Sequence, residues 1–125
     1  MSGYDDYRCV DLESRATTAS PYQLVLLLYD GLLEELERVR GHIQGRRFEL
    51  KGRSLEKCLG ILDGLDGALD HQEGGELVAS LEQLYDYCRR RLCEVSVTLS
   101  LDSLDEVVHL LGQLRLGWEA VHASR

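Results

Sequence analysis

A chain of 125 residues with 44% hydrophobic content is long enough for one domain that buries roughly two thirds of its unfolded surface, which excludes an intrinsically disordered protein. One Pro and recurrent Leu, Glu, Asp and Arg favour helix over sheet. Fourteen Lys and Arg against 22 Asp and Glu give a formal net charge of -8, a field that repels phosphate backbones and anionic lipid and argues against nucleic acid as a partner.

Residues 1–19 are short on apolar periodicity and rich in Asp, Arg, Ser and Thr, so they read as an N-terminal arm ahead of a domain spanning 20–125. Tyr4, Tyr7 and Val10 punctuate that arm. It is either a plain tail or a strap that lays these side chains onto the domain. The segment MSGYDDYR lacks the apolar stretch of a signal peptide, and no apolar run approaches the roughly 20 residues that span a bilayer. The expected location is the cytosol, with no direct membrane insertion. Cys9, Cys58, Cys88 and Cys93 stay reduced there, and none of them form a Cys-x-x-Cys pair.

Ser20-Pro21-Tyr22-Gln23 is a helix start, with Ser at the N-cap, Pro at the first helical position and Gln placed to complete a capping box. The first helix carries Val25, Leu28, Tyr29, Leu32, Leu36, Val39 and Ile43 on one stripe and is expected to end near Gly45. A second is predicted from Phe48 to His71, with Leu55, Leu59, Leu62 and Leu69 in line and Cys58, Ile61, Leu65 and Ala68 beside them. Gly60, Gly64 and Gly67 fall on its opposite side, each costing about 1 kcal/mol relative to Ala. They are either tolerated weak points or a line that lets another backbone approach.

Gly74-Gly75 breaks the chain before a third helix, whose stripe is Leu77, Leu81, Leu84, Tyr85, Cys88, Leu92 and Val95. Arg89, Arg90 and Arg91 fan around it and suit a solvated or salt-bridged face. Asp102 or Ser103 is the expected cap of a fourth helix, Ser103 with Glu106 forming a capping box. Leu104, Val107, Val108, Leu111, Leu114, Trp118 and Val121 are expected to face inward there. Four amphipathic helices on short connections predict an all-α, antiparallel up-and-down bundle.

No phosphate loop, nucleophile elbow or metalloprotease motif occurs, so no catalytic residue, cofactor or metal ligand is assigned. A metal-binding bundle oxidoreductase is the enzymatic alternative, because Glu106 with His109 and Glu119 with His122 have Glu-x-x-His spacing. Both motifs lie on one helix, and Glu106 and His109 fall opposite Val107, Leu111 and Trp118, so they cannot share an interior ion. Asp63, Asp66 and Asp70 share a face and read as a solvated stripe. What remains is apolar surplus: Leu24 and Leu27, Tyr87 and Leu116 project away from the core stripes and mark an interaction surface if they coalesce. A purely structural homodimer uses exposed apolar helix faces in the same way.

Several stretches together resemble one known family. Tyr7-Arg-Cys-Val10, Leu12-Glu-Ser14 and Ala19-Ser-Pro-Tyr-Gln-Leu-Val-Leu-Leu-Leu-Tyr-Asp-Gly31 are similar to the N-terminal third of the flagellin-specific secretion chaperones. Glu73-Gly-Gly-Glu-Leu77, Leu84-Tyr-Asp-Tyr87 and Arg90-Arg-Leu92 resemble their third helix, and Leu104-Asp-Glu-Val107, Leu110-Leu111 and Trp118 their fourth. The resemblance covers residues 7–120 and departs from the usual pattern at Gly60, Gly64, Gly67, Gly112 and Gly117. It implies a four-helix bundle that captures the C-terminal helices of flagellin, prevents premature polymerisation and delivers the subunit to the export gate of the flagellar type III apparatus. It also implies that Tyr7, helped by Val10, covers part of the client site in the free chaperone. The client-contact set expected from surplus and resemblance together is Tyr7, Val10, Leu24, Leu27, Tyr87 and Leu116.

Overall fold

The computed structural model describes residues 20–69 and 74–123, with side chains described as far as Val121. Tyr7, Val10, Cys9 and Asp70 lie outside the described residues, as does the side chain of His122. Four helices follow one another: α1 (Pro21–Gln44), α2 (Phe48–Gly67), α3 (Gly75–Thr98) and α4 (Leu101–Ala123). Among the described residues α1 packs on α2 and α4, and α3 packs on α2 and α4, while the diagonal pairs keep their backbones apart. That ring of neighbours is the four-helix bundle expected from the sequence.

Each boundary has a local cause. At the start of α1 the Ser20 hydroxyl accepts from the Gln23 amide at 3.2 Å, and the Gln23 side chain accepts from the Ser20 amide at 3.1 Å. Two otherwise orphaned donors are satisfied by this reciprocal pair. At the other end of α1, Arg47 donates to the Gly41 carbonyl at 3.0 Å and to His42 Nδ1 at 3.1 Å, while Arg46 takes a left-handed φ of 59°. Helix α2 stops at Gly67, four residues before the expected end at His71: Ala68 caps it and donates its amide back to Gly64 and Leu65. Three glycines within eight residues make that last stretch too weak to propagate further.

Gly75 has φ 63°, a conformation that costs an L side chain about 1 kcal/mol, which explains the glycine at this chain reversal. Leu99 closes α3 at φ 59°, its amide donating to the Val95 carbonyl at 2.9 Å. The expected cap of α4 is corrected. Ser100, not Asp102 or Ser103, supplies it, its hydroxyl accepting from the Ser103 amide at 3.2 Å, and Asp102 sits in the first turn. Ser100 wins because a helix beginning at Leu101 lets that residue turn inward beside Leu104.

The core is close to the predicted stripes. Leu32, Leu36 and Val39 of α1, Cys58 and Leu62 of α2, Cys88 and Val95 of α3, and Leu104, Val107 and Leu111 of α4 are wholly sealed. Each such leucine contributes about 2 kcal/mol on leaving water. Leu77 and Val121 are corrections to the stripes: they are 71% and 61% exposed. Both lie near helix ends, Leu77 in the first turn of α3 and Val121 in the last turn of α4. Across the diagonal the Tyr29 and Tyr85 hydroxyls hydrogen-bond at 2.8 Å in the buried interior, joining α1 to α3.

Arginines clip the seams between helices. Arg89 of α3 pairs with Asp63 at 3.0 Å and Asp66 at 3.3 Å on α2. Arg115 of α4 meets Asp30 of α1 at 2.5 Å, and Arg40 of α1 pairs with Asp105 of α4. Such partly exposed pairs contribute about 0–1 kcal/mol each, so they fix register more than they stabilise. Asp63 and Asp66, expected as a solvated stripe, instead pair with Arg89, while Arg91 turns to Glu94 and Glu106 on the other side of α3.

Gly60 offers a direct test of intrinsic helix weakness, since a Cβ built there meets nothing within 4 Å. Gly60→Ala is expected to stabilise the chain by about 1 kcal/mol in urea denaturation, by helix propensity and a less flexible unfolded state. A loss of stability would show that the glycine is needed for packing.

Candidate functional site

The first half of α1 carries more apolar surface than the interior accepts. Leu24 to Tyr29 is an unbroken apolar run, yet only Val25 and Tyr29 enter the core; Leu24, Leu26, Leu27 and Leu28 stay half-buried. Leu24 and Leu28 stand one turn apart on the side of α1 that meets α2, and Leu27 continues that face outward. Opposite Leu28 lies Gly64, where a Cβ would sit 3.7 Å from both Leu28 methyls.

Gly60 and Gly67 flank Gly64 on the outward side of α2, with nothing within 4 Å of the Cβ each lacks. Seven residues of helix advance about 10 Å, so α2 presents a bare shelf of that length beside the leucines of α1. Among the described residues the glycine line is therefore open on its outer side, and only Leu28 comes within 4 Å of the Cβ positions of Gly60, Gly64 and Gly67. A half-covered leucine row next to a low backbone shelf is suited to receive the apolar face of an added helix.

Tyr87 and Leu116 sit elsewhere. Tyr87 is half-buried on α3, and its hydroxyl donates to the Glu106 carboxylate on α4, which also pairs with Arg91 at 3.3 Å. Glu106 raises the Tyr87 phenol above its ordinary range by accepting that hydrogen bond. Leu116, 55% exposed, follows Arg115, the residue that reaches α1 through Asp30. Leu24 and Leu27 thus share α1, Tyr87 lies on the diagonally placed α3, and Leu116 lies on the neighbouring α4. A partner touching Leu24, Leu27 and Tyr87 has to span two diagonal helices.

Glu106 and His109 point to the outer surface, and Glu106 is engaged by Arg91 and Tyr87. No group of three or more His, Cys, Asp or Glu side chains suited to a metal occurs among the described residues. No described helix is long and apolar enough to cross a membrane.

Sequence reasoning left the glycine line open between tolerated weak points and a line that lets another backbone approach, and did not place it beside the leucines of α1. It also missed the stack of Tyr22 on Trp118, ring centroids 5.9 Å apart, where the Trp118 indole donates to the Tyr22 carbonyl at 3.3 Å. That contact joins the first turn of α1 to the last turns of α4.

Comparison with known proteins agrees with this architecture. Residues 3–125 match the family described as Flagellar protein FliS. The chain is 36% identical over 121 residues to the Flagellar secretion chaperone FliSB of Pseudomonas aeruginosa, covering 97% of this chain and 96% of that protein. It is also 36% identical over 121 residues to the Flagellar secretion chaperone FliS of Salmonella typhimurium, covering 96% and 90%. A crystal structure of a flagellar chaperone from bacteria superimposes with a TM-score of 0.79 at 19% identity, over 94% of this chain and 99% of that one, a likeness of fold. With nearly the whole length matched by the family and by these relatives, the chain belongs to the flagellar protein FliS family.

Proposed function

We propose that this chain is a cytoplasmic flagellar secretion chaperone that binds the C-terminal helical segment of flagellin, prevents its premature polymerisation and delivers it to the type III export apparatus. Family membership supports the chaperone role in flagellar export. The observation that carries the client assignment is the row of half-covered leucines, Leu24, Leu27 and Leu28, beside the glycine shelf of α2. An amphipathic helix laid there buries its apolar face without displacing any core residue.

Tyr87 and Leu116 extend the contact around the bundle as separate apolar footholds, and the arm residues Tyr7 and Val10 cover part of the site in the free protein. A client that orders itself only on binding surrenders part of its interaction energy to that ordering, which keeps the complex reversible at the export gate.

Titration calorimetry with a C-terminal flagellin fragment tests the assignment. Leu27→Glu and Leu24→Glu are each expected to weaken binding about tenfold or more, equivalent to about 1.4 kcal/mol, because each places a charge against an apolar helix. Circular dichroism should stay helical, since neither side chain is in the sealed core. Affinity unchanged in both variants would remove the α1–α2 face from client binding.

A further inference from the structure

Glu106 and His109 share Glu-x-x-His spacing, but the contacts of Glu106 run to the neighbouring helix α3. The Tyr87 hydroxyl donates to one oxygen of its carboxylate. Arg91 Nη2 donates to the other at 3.4 Å, and Arg91 Nη1 donates to Glu94 at 2.5 Å. One carboxylate on α4 is thus gripped by two side chains of α3, and one of the two is itself braced along its own helix.

Tyr87 and Arg91 stand one turn apart on α3 and therefore on one face, as do Glu106 and the half-covered Leu110 on α4. A half-buried tyrosine held only at its Cβ moves among staggered χ1 rotamers. Tied to α4 at its far end as well, the Tyr87 ring is fixed at two points and lies across the α3–α4 seam. Its one donor is already used, so a partner meeting the ring has only to supply apolar contact.

The link does little for the fold itself. The Glu106 side chain keeps 44% of its surface exposed, and water competes for bonds of that kind. Its effect falls on the orientation of the ring rather than on the stability of the bundle.

We propose that Glu106 is a positioning residue for client binding: by holding the Tyr87 hydroxyl, with Arg91 steadying the carboxylate, it presents the ring across the α3–α4 seam to an apolar side chain of the flagellin segment. The proposal rests on the reading of Tyr87 as a client foothold. A ring ordered in advance loses no rotamer freedom when the client arrives, and that saving appears as affinity. A bond acting as a latch that has to open would have the opposite sign, since its removal would tighten binding.

Titration calorimetry of the full chain with the C-terminal flagellin fragment tests this. Tyr87→Phe keeps the ring and loses the hydroxyl; Glu106→Ala keeps the hydroxyl and loses its acceptor. Each is expected to weaken binding about threefold or more. The double variant should be no weaker than either single one, because all three break the same link. Glu106→Gln removes the same charge but keeps an oxygen for the phenol, and should restore most of the affinity lost in Glu106→Ala. Three-bond couplings about the Tyr87 Cα–Cβ bond should report one rotamer in the parent and in Glu106→Gln, and averaging in Glu106→Ala, with helicity and melting midpoint unchanged. Additive losses, an equal loss in Glu106→Gln, tighter binding in Glu106→Ala, or a ring that stays in one rotamer there would overturn the proposal. Tyr87→Ala separates the two levels. Unaltered affinity in that variant removes Tyr87 from client contact and the proposal with it. A clear loss there, beside parental affinity in Tyr87→Phe and Glu106→Ala, leaves the foothold standing and overturns the positioning role alone.

Discussion

Raising the pH from about 9 to about 11 is expected to unfold the chain, because four ionisable side chains are sealed in its interior. Burial, the largest cause, raises the Cys58 and Cys88 thiols above their ordinary value of 9.0, Cys88 to about 11, with nearby carboxylates adding to the effect. Burial likewise raises the Tyr29 and Tyr85 phenols above 10.0, and for Tyr29 the hydrogen bond to Tyr85 raises it further. The folded state holds these protons more tightly than the unfolded state. Stability is therefore unaffected below about pH 9 and falls as the unfolded chain begins to ionise.

Each group contributes a slope of about 1.4 kcal/mol per pH unit once its unfolded form titrates. Two thiols and then two phenols together remove several kcal/mol over this interval, comparable with the 5–15 kcal/mol typical of a whole domain. Urea midpoints measured from about pH 8 to about pH 11 check this. Replacing both buried cysteines by alanine should flatten the first part of the fall, even from a lower starting stability. A midpoint independent of pH across the interval would mean that the thiols and phenols are solvated in the folded chain.

Leu36→Ala is expected to cost about 2–5 kcal/mol, the range for a leucine whose removal leaves a cavity that the surroundings only partly refill. Leu36 is wholly buried in the middle of α1, with Leu32 and Val39 equally sealed on either side. A domain of this size loses its melting midpoint by about 10 °C or more for such a change. Leu77→Ala provides the contrast, since Leu77 is 71% exposed and its removal should shift stability by less than about 0.5 kcal/mol. Scanning calorimetry of the two variants side by side distinguishes a specifically packed core from a loosely collapsed one.

Periodicity within one helix made the helices and their inner stripes legible. Ser20-Pro21 and the glycines at 45 and 74–75 punctuate the chain strongly, so α1 and the start of α3 fall where the residues place them. Leu77 and Val121 were misplaced because a helical wheel repeats without knowing where the neighbouring helix ends. The α4 cap slipped for a related reason: Ser100 and Ser103 are equally good caps in isolation, and the packing of Leu101 decides between them.

Contacts between distant helices were not legible at all. Nothing in the local pattern announces that Tyr29 meets Tyr85, that Arg115 meets Asp30, or that Glu35, Lys51 and Ser54 are largely removed from water. The same limit applies to the candidate site. Surplus leucines on α1 were visible in sequence, but their alignment with Gly64 depends on how two helices cross.

Among the described cysteines, Cys58 and Cys88 are wholly enclosed while Cys93 is exposed on α3. The chain therefore carries its own clock. An alkylating reagent marks Cys93 at once but reaches the two enclosed sulfurs only during rare openings of the whole assembly. The ratio of those modification rates, read from peptide masses, reports how often the protein loosens, in a living cell as readily as in a cuvette.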